Sequence, residues 1–421
     1  MRILLLGLNF WPELTGIGKY SGEMAAWLAA RGHAVRVITA PPYYPQWRVA
    51  SPYVSWAYRR EALPQACVEG ESSVLRCPLY VPRRPSGLRR MLHLGSFAVA
   101  ATPPALMAAR WRPDLVWTVE PTLVLAPLAL AVARLSGAAS WLHVQDFEVD
   151  AARDLGLLPD GGALRTALKG EAGFMGRFDC VSTISDRMLE RLREKGVSAE
   201  KRVLFPNWVD TGVIHPLGRP SALRQELGLP ANAVVALYSG NMGAKQGLEL
   251  LVDATRRLAP MEDLHFVFCG SGSEAPGLKA STAGLERVHW LPLQPFERLN
   301  ELLNLADIHL LPQRADAADL VMPSKLTGMF ASGGAVLATA AQGTELAQVL
   351  DGRGVIVPPG DDEAFAQALS ALAQDPARRA ALGAAGRSYA QGQLDREPVL
   401  LRFEARARQI VARRAGLSGE Q

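Results

Sequence analysis

Apolar residues along the chain alternate between short continuous runs and stretches spaced three and four apart. Ile3–Leu8 is one such run, too short for a signal or membrane-spanning segment and followed by Glu13, so it reads as a buried strand. A loop over 9–18, NFWPELTGIG, separates it from a helix over Lys19–Arg31, in which Ser21, Met24, Ala25 and Leu28 share one face. Gly32-His33 ends that helix and Ala34–Thr39 is the next strand. The order strand, loop, helix, strand predicts a parallel, doubly wound sheet. Leu115–Val119, Ala139–Val144, Asp179–Thr183 and Val203–Phe205 continue it, with Ser185 placed to cap a helix over Asp186–Lys195.

The second half repeats the rhythm. Strands are expected at Val234–Ser239, Leu264–Cys269, Val288–Leu291, Ile308–Leu310, Ala335–Thr339 and Val355–Val357. Helices are expected at Leu223–Leu227, Leu248–Leu258, Asp362–Ala373 and Pro376–Gln391. A basic helix over Asp395–Ala415 closes the chain. The pattern divides into an N-terminal α/β domain over 1–210, a C-terminal α/β domain over 211–394, and a final helix over 395–421 that packs back on the first domain. Two Rossmann-like domains of this kind bind ligands at the carboxyl ends of their strands.

At 421 residues and +4 net charge, the chain is large enough for two cores and too weakly basic to point to nucleic acid. The charge is unevenly spread. Between Ser72 and Pro113 there are arginines at 76, 83, 84, 89, 90, 110 and 112 and no acid. Cys67, Cys77, Cys180 and Cys269 make no CxxC pair, which speaks against a zinc site and fits a reducing cytoplasm.

The candidate chemistry lies in the strand-end loops. Gly16 and Gly18 open a helix, where backbone N–H groups and the helix dipole favour an anion; a tight turn is the other reading. Glu13 is either a sugar-hydroxyl acceptor or a solvated loop acid. Gly240-Asn241-Met242-Gly243-Ala244-Lys245 supplies glycines and then a lysine, as a diphosphate requires, although a surface lysine has the same pattern. Arg314, Ser324 and Lys325 offer further phosphate contacts around another helix start, with helix capping as the alternative for Ser324. Glu345 either holds a sugar hydroxyl or stabilises a helix dipole. His143 ends a strand beside Asp146, Glu148 and Asp150, and is either a site residue or a packed ring. The acids lack the spacing of a metal motif.

Taken in order, NFWPELTGIGKY at Asn9–Tyr20, HVQDFEVDAARDLGL at His143–Leu157, Phe205–Trp208, Ser239–Leu248 and Arg314–Gly328 resemble the retaining glycosyltransferases of family 4. More narrowly they resemble the bacterial enzymes of colanic-acid-type exopolysaccharide assembly that add fucose or a related sugar. The resemblance implies the GT-B fold, two facing Rossmann-like domains with a cleft between them. It implies that His143 lies at the reacting anomeric centre, that Lys245 binds the donor diphosphate, and that Glu345 serves the donor sugar. Gly16, Gly18, Gly240, Asn241, Arg314, Ser324 and Lys325 would complete the donor site, and Glu13, Lys19 and Asp146 the acceptor site. Two glutamates common in the family fall at Leu320 and Gly328 here, and its usual arginine before the diphosphate lysine is Asn241, so phosphate and ribose recognition must be rebuilt.

The chemistry implied is transfer from a nucleotide sugar, with fixed donors stabilising the leaving diphosphate. No DxD triplet occurs, so a metal-chelated diphosphate is unnecessary, and with the nucleotide sugar as a substrate no cofactor is expected. GDP-fucose is the favoured donor and a polyprenyl-diphosphate-linked saccharide the acceptor. A UDP-linked N-acetylated 6-deoxy sugar is the alternative donor, and a sugar-nucleotide epimerase the alternative enzyme. Leu88–Trp111, flanked by Arg83, Arg84, Arg89, Arg90, Arg110 and Arg112 and expected to break at Pro103-Pro104, suggests attachment to an anionic membrane without spanning it. That places the chain in the cytoplasm, peripheral on the inner face of the bacterial inner membrane.

Overall fold

A computed structural model describes residues 1–13, 16–63, 72–84, 86–119, 123–147, 161–243, 246–314 and 323–416. The chain forms two compact units, Met1–Pro206 with Leu400–Gln421, and Asn207–Val399.

The first unit is built on β1 (Arg2–Leu6), β2 (Ala34–Thr39), β3 (Arg59–Ala62), β4 (Ser73–Arg76), β5 (Leu115–Val119), β6 (Ala139–Val144), β7 (Cys180–Thr183) and β8 (Arg202–Leu204). Their order is β3-β4-β2-β1-β5-β6-β7-β8, and every pair is parallel except β3 with β4. β1, β5 and β6 are covered on both faces, which explains their unbroken apolar runs. The hairpin β3–β4 has no such signature. It lies at the sheet edge, and RREA is largely exposed.

Helix α1 (Gly16–Ala30) begins three residues before the sequence suggests, so Gly16 and Gly18 belong to its first turn rather than to the preceding loop. Helix α2 (Gly87–Ala108) does not break at Pro103-Pro104. Pro104 leaves the Ala100 carbonyl without an intrahelical donor, and the Tyr58 hydroxyl donates to it at 2.9 Å. Thr102 Oγ1 donates to the Ala98 carbonyl at 2.7 Å in the same turn. His93, Phe97, Ala101 and Ala105 form the buried stripe of α2, and it packs on helix α3 (Ala126–Ser136) and β2.

The second unit has β9 (Val234–Asn241), β10 (Leu264–Ser271), β11 (Val288–Leu291), β12 (Ile308–Leu311), β13 (Ala335–Thr339) and β14 (Val355–Val357), all parallel in the order β11-β10-β9-β12-β13-β14. β9 and β10 run two residues past the expected ends, pairing Gly240 with Gly270 and Asn241 with Ser271. Glycine at both positions makes this possible. A Cβ on Gly270 would lie 1.9 Å from the Gly240 carbonyl oxygen.

The unit boundaries differ from 210 and 394 for a local reason. Val209 N donates to the Leu394 carbonyl, and Arg396 N donates to the Val209 carbonyl. The Asp395 carboxylate accepts from Thr211 N and Oγ1. These bonds hold residues on both sides of the expected joints in the second unit. From Leu400 the terminal helix Arg396–Arg414 belongs to the first unit. There Phe403 packs on Trp141 and Phe205, and buried Glu404 accepts hydrogen bonds from Arg31, His33 and Arg408.

Candidate active site

In the second unit the phosphate candidates gather around the tip of β9. Gly240 (φ +133°), Gly270 (+149°) and Gly272 (+158°) adopt backbone that disfavours other residues, and a Cβ on Gly272 would lie 2.2 Å from the Met242 carbonyl. Met242 N donates to Ser271 O, and Glu274 N to Met242 O, so the two strand ends are fastened to their tips. The Asn241 carbonyl accepts from the Tyr238 hydroxyl at 2.6 Å.

Lys325, the first residue of helix Lys325–Ser332, reaches this tip. Its Nζ lies 4.4 Å from the centre of the Tyr238 ring, and its Cδ 3.7 Å from where a Cβ on Gly240 would stand. Burial pulls its ammonium down to a pKa of about 8. Among the described residues it has no carboxylate partner. Arg314 approaches the same loop from the other end, its Cγ 3.0 Å from a Cβ placed on Gly247, whose φ is +61°. Gly240, Asn241, Arg314 and Lys325 therefore surround one loop. Lys245 belongs to that loop but lies outside the described residues.

Ser324 is exposed and its side chain caps nothing; only its carbonyl is used, accepting from Thr327 Oγ1. The capping alternative for Ser324 is thereby set aside. Glu345 opens helix Glu345–Leu350, where Thr344 supplies the cap by accepting from Ala347 N. Glu345 is half-buried in the first turn.

In the first unit, Glu13 is not a solvated loop acid. It is 5% exposed. Its Oε1 accepts from Tyr43 N and Tyr44 N, each at 2.9 Å, and its Oε2 from Asn9 Nδ2 at 2.9 Å. Burial raises its pKa against those donors and nearby Arg76. Gly18 is explained by the same contact, since a Cβ there would lie 2.6 Å from Glu13 Cβ. Gly16 has φ +57° with open space around it. Lys19 is half-exposed and paired with Glu23 at 3.6 Å.

His143, the penultimate residue of β6, is buried. Nε2 lies 2.8 Å from the Gln145 amide nitrogen and Nδ1 2.8 Å from Ser182 Oγ; with the amide donating to Nε2, the ring carries its proton on Nδ1 and donates it to the hydroxyl. The ring stacks on Trp117 and meets Phe205 edge-on. Burial lowers its pKa to about 3, so it is neutral at physiological pH. Asp146 is half-buried just beyond, while Glu148 and Asp150 lie outside the described residues. Tyr238 under Lys325, and Ser182 and Gln145 around His143, carry no sequence signal of their own; each is a polar residue placed by tertiary packing.

Two Rossmann-like units of largely parallel sheet are the architecture of the GT-B fold. Residues 15–208 match the family described as glycosyl transferase 4-like domain, and 233–375 match glycosyl transferases group 1. The chain is 45% identical over 415 residues to the putative colanic acid biosynthesis glycosyl transferase WcaI of Escherichia coli (strain K12), covering 96% of this chain and 98% of that one. It therefore belongs to the family 4 glycosyltransferases. Among solved structures, sucrose-phosphate synthase from Thermosynechococcus elongatus superposes with a TM-score of 0.75 at 20% identity, covering 98% of this chain and 100% of the other. WaaG, a glycosyltransferase involved in lipopolysaccharide biosynthesis, superposes at 0.65 and 15% identity, covering 97% and 99%. These two likenesses establish the fold.

Proposed function

We propose that the protein transfers a sugar, with retention and without a metal, from a nucleotide-sugar donor to a polyprenyl-diphosphate-linked saccharide in colanic-acid-type exopolysaccharide assembly. The observation that carries this reading is the 45% identity to a relative named for colanic acid biosynthesis, over an alignment that covers 96% of the chain. GDP-fucose is the favoured donor and a UDP-linked sugar the alternative.

The chemistry follows from the groups available. As the donor bond breaks, negative charge grows on the leaving diphosphate and the anomeric carbon becomes cation-like. Lys325, Arg314 and Lys245 meet the first need, with the backbone at Gly240 and Asn241. A leaving phosphate oxygen takes the proton of the attacking hydroxyl on the face it vacates, which keeps the anomeric configuration. His143, neutral and enclosed, positions this centre rather than donating a proton. Glu345 and Ser324 serve the donor sugar and phosphate.

Docking to the inner membrane face rests on α2. Its buried stripe anchors it to the first unit, while Leu88, Met91, Leu92, Val99 and Met107 stay exposed. By length and composition Gly87–Trp111 would cross a membrane. Its place in the unit's packing favours lying on the surface instead. Trp56, Tyr58 and Tyr80 are exposed, and Tyr58 and Tyr80 bond to α2, giving the aromatic groups that favour an interface. Each arginine near anionic lipid adds roughly 1 kcal/mol.

The test is a donor-by-acceptor screen with lipid-linked acceptors, product anomer assignment by NMR, and a parallel reaction in EDTA. Fucose transfer from GDP-fucose with retention, indifferent to EDTA, is expected. Inversion, or loss of turnover in EDTA, removes the mechanism; turnover with UDP-sugars alone moves the donor. Arg83, Arg84, Arg89 and Arg90 changed together to glutamate should abolish binding to anionic liposomes while sparing a soluble acceptor. Wild-type protein that ignores such liposomes at low salt ends the membrane reading.

A further inference from the structure

The loops that follow β1 and β2 rise from adjacent parallel strands, and two buried charges fasten both. Glu13 binds the backbone of Tyr43 and Tyr44 in one loop and the side chain of Asn9 in the other. Arg76, 2% exposed at the end of β4, donates from Nη2 to the Trp11 carbonyl at 2.6 Å and from Nη1 to the Ala40 carbonyl at 3.1 Å, while Nε pairs with Glu61. Helix α1 closes on the same loop through glycine, because a Cβ on Gly22 would lie 2.6 Å from Trp11 Cβ.

Burying two charges is costly unless their bonds are fully met. Here four of those bonds go to the backbone of two loops, and they fix the main chain from which two aromatic side chains project. Trp11 and Tyr44 are each 44% exposed. They stand at the carboxyl edge of the sheet, where open α/β sheets receive ligands. A face of a pyranose ring is lined by C–H bonds of slight positive charge, complementary to the negative face of an aromatic ring. Rigid aromatic groups held in advance lose little entropy when they are covered.

We propose that Trp11 and Tyr44 form the stacking platform for the terminal sugar of the acceptor, with Glu13 and Arg76 as its positioning residues. This rests on the transferase reading above and names the acceptor subsite within it. It also reassigns Glu13 from touching sugar to holding the residues that do.

The test uses the full chain with methyl and octyl glucosides and galactosides as probes. Saturation-transfer NMR reads contact with sugar C–H protons, and calorimetry reads affinity for the glycosides and for nucleoside diphosphate. Trp11→Ala and Tyr44→Ala should weaken methyl glycoside binding about tenfold and leave diphosphate affinity unchanged. Trp11→Phe should recover most of the loss. Glu13→Gln should raise acceptor KM with little change in kcat. Wild-type protein that transfers no saturation to any methyl glycoside overturns the platform. So does a loss confined to octyl glycosides, which would mark a lipid contact. Transfer failing with every nucleotide sugar, while methyl glycosides still bind through Trp11, would instead overturn the transferase reading and leave the platform standing.

Discussion

Replacing Lys325 by methionine should move stability and nucleotide affinity in opposite directions. In the free protein the ammonium is held beside the Tyr238 ring with no carboxylate partner among the described residues, and burial lowers its pKa from 10.5 to about 8. A lysine whose folded pKa lies below its unfolded value destabilises the fold wherever both states are protonated, that is, below pH 8. A depression of this size corresponds to at most about 3–4 kcal/mol, and partial exposure together with the contact to Tyr238 brings it nearer 1–2 kcal/mol. Lys325→Met should therefore raise the denaturation midpoint at pH 7. The advantage should shrink as pH climbs from 8 towards 10.5, where the folded wild-type lysine becomes neutral.

Binding should respond the other way. At pH 7 roughly nine-tenths of Lys325 is charged, and at pH 9 about one-tenth. A diphosphate already carries its full charge across this range. Its dissociation constant should stay flat to pH 8 and then rise, up to about tenfold per pH unit. Losing a charged hydrogen bond costs about 1.5–3 kcal/mol, so Lys325→Met should weaken diphosphate about 10- to 100-fold and nucleoside hardly at all. Calorimetry from pH 7 to 9.5 and denaturant melts at matching pH read both arms. A wild-type affinity flat through pH 9.5, or a variant that loses stability and keeps its affinity, would refute the assignment.

Other perturbations separate packing from chemistry. Gly270→Ala should destabilise the second unit by about 3 kcal/mol or more, because its Cβ would meet the Gly240 carbonyl at 1.9 Å, whereas Gly277→Ala, with open space, should be near neutral in the same melts. His143→Ala should lower turnover far more than donor affinity, and the wild-type pH–rate profile between 5 and 9 should show no step from a ring whose pKa lies near 3; a step lost in the variant would contradict this. Glu404→Gln should destabilise the first unit at pH 7. The carboxyl is held near a pKa of about 2, so that difference should fade as pH drops from 4.5 to 2, a trend measurable by urea titration.

The architecture was legible because buried parallel strands write themselves as apolar runs. Ala139–Val144 and Ala335–Thr339 match the expected bounds for that reason. The edge strand β3 was not legible, since RREA faces solvent on most sides and nothing in its composition demands a sheet. The helix through Pro103 and Pro104 was also hidden. Its continuity depends on a hydroxyl from Tyr58, forty-two residues away along the chain.

The candidate site divides along the same line. Glycines and cations in strand-end loops can be read locally, because phosphate recognition needs backbone donors and charge within a few residues. The residues that give those groups their properties come from elsewhere in the chain. Lys325 has its lowered pKa because it lies against Tyr238 and Gly240, both far from it in sequence. Glu13 reads locally as a loop acid in reach of a substrate, yet its three hydrogen bonds and the backbone bonds of Arg76 turn that region into a fastened support. An acid near a ligand loop has two physical fates, solvation or burial against donors. Here Gly18 carries the distinguishing information, because only a residue without a Cβ lets the first turn of α1 close over the Glu13 side chain. The glycine that resembled a phosphate ligand is the one that buries the carboxylate.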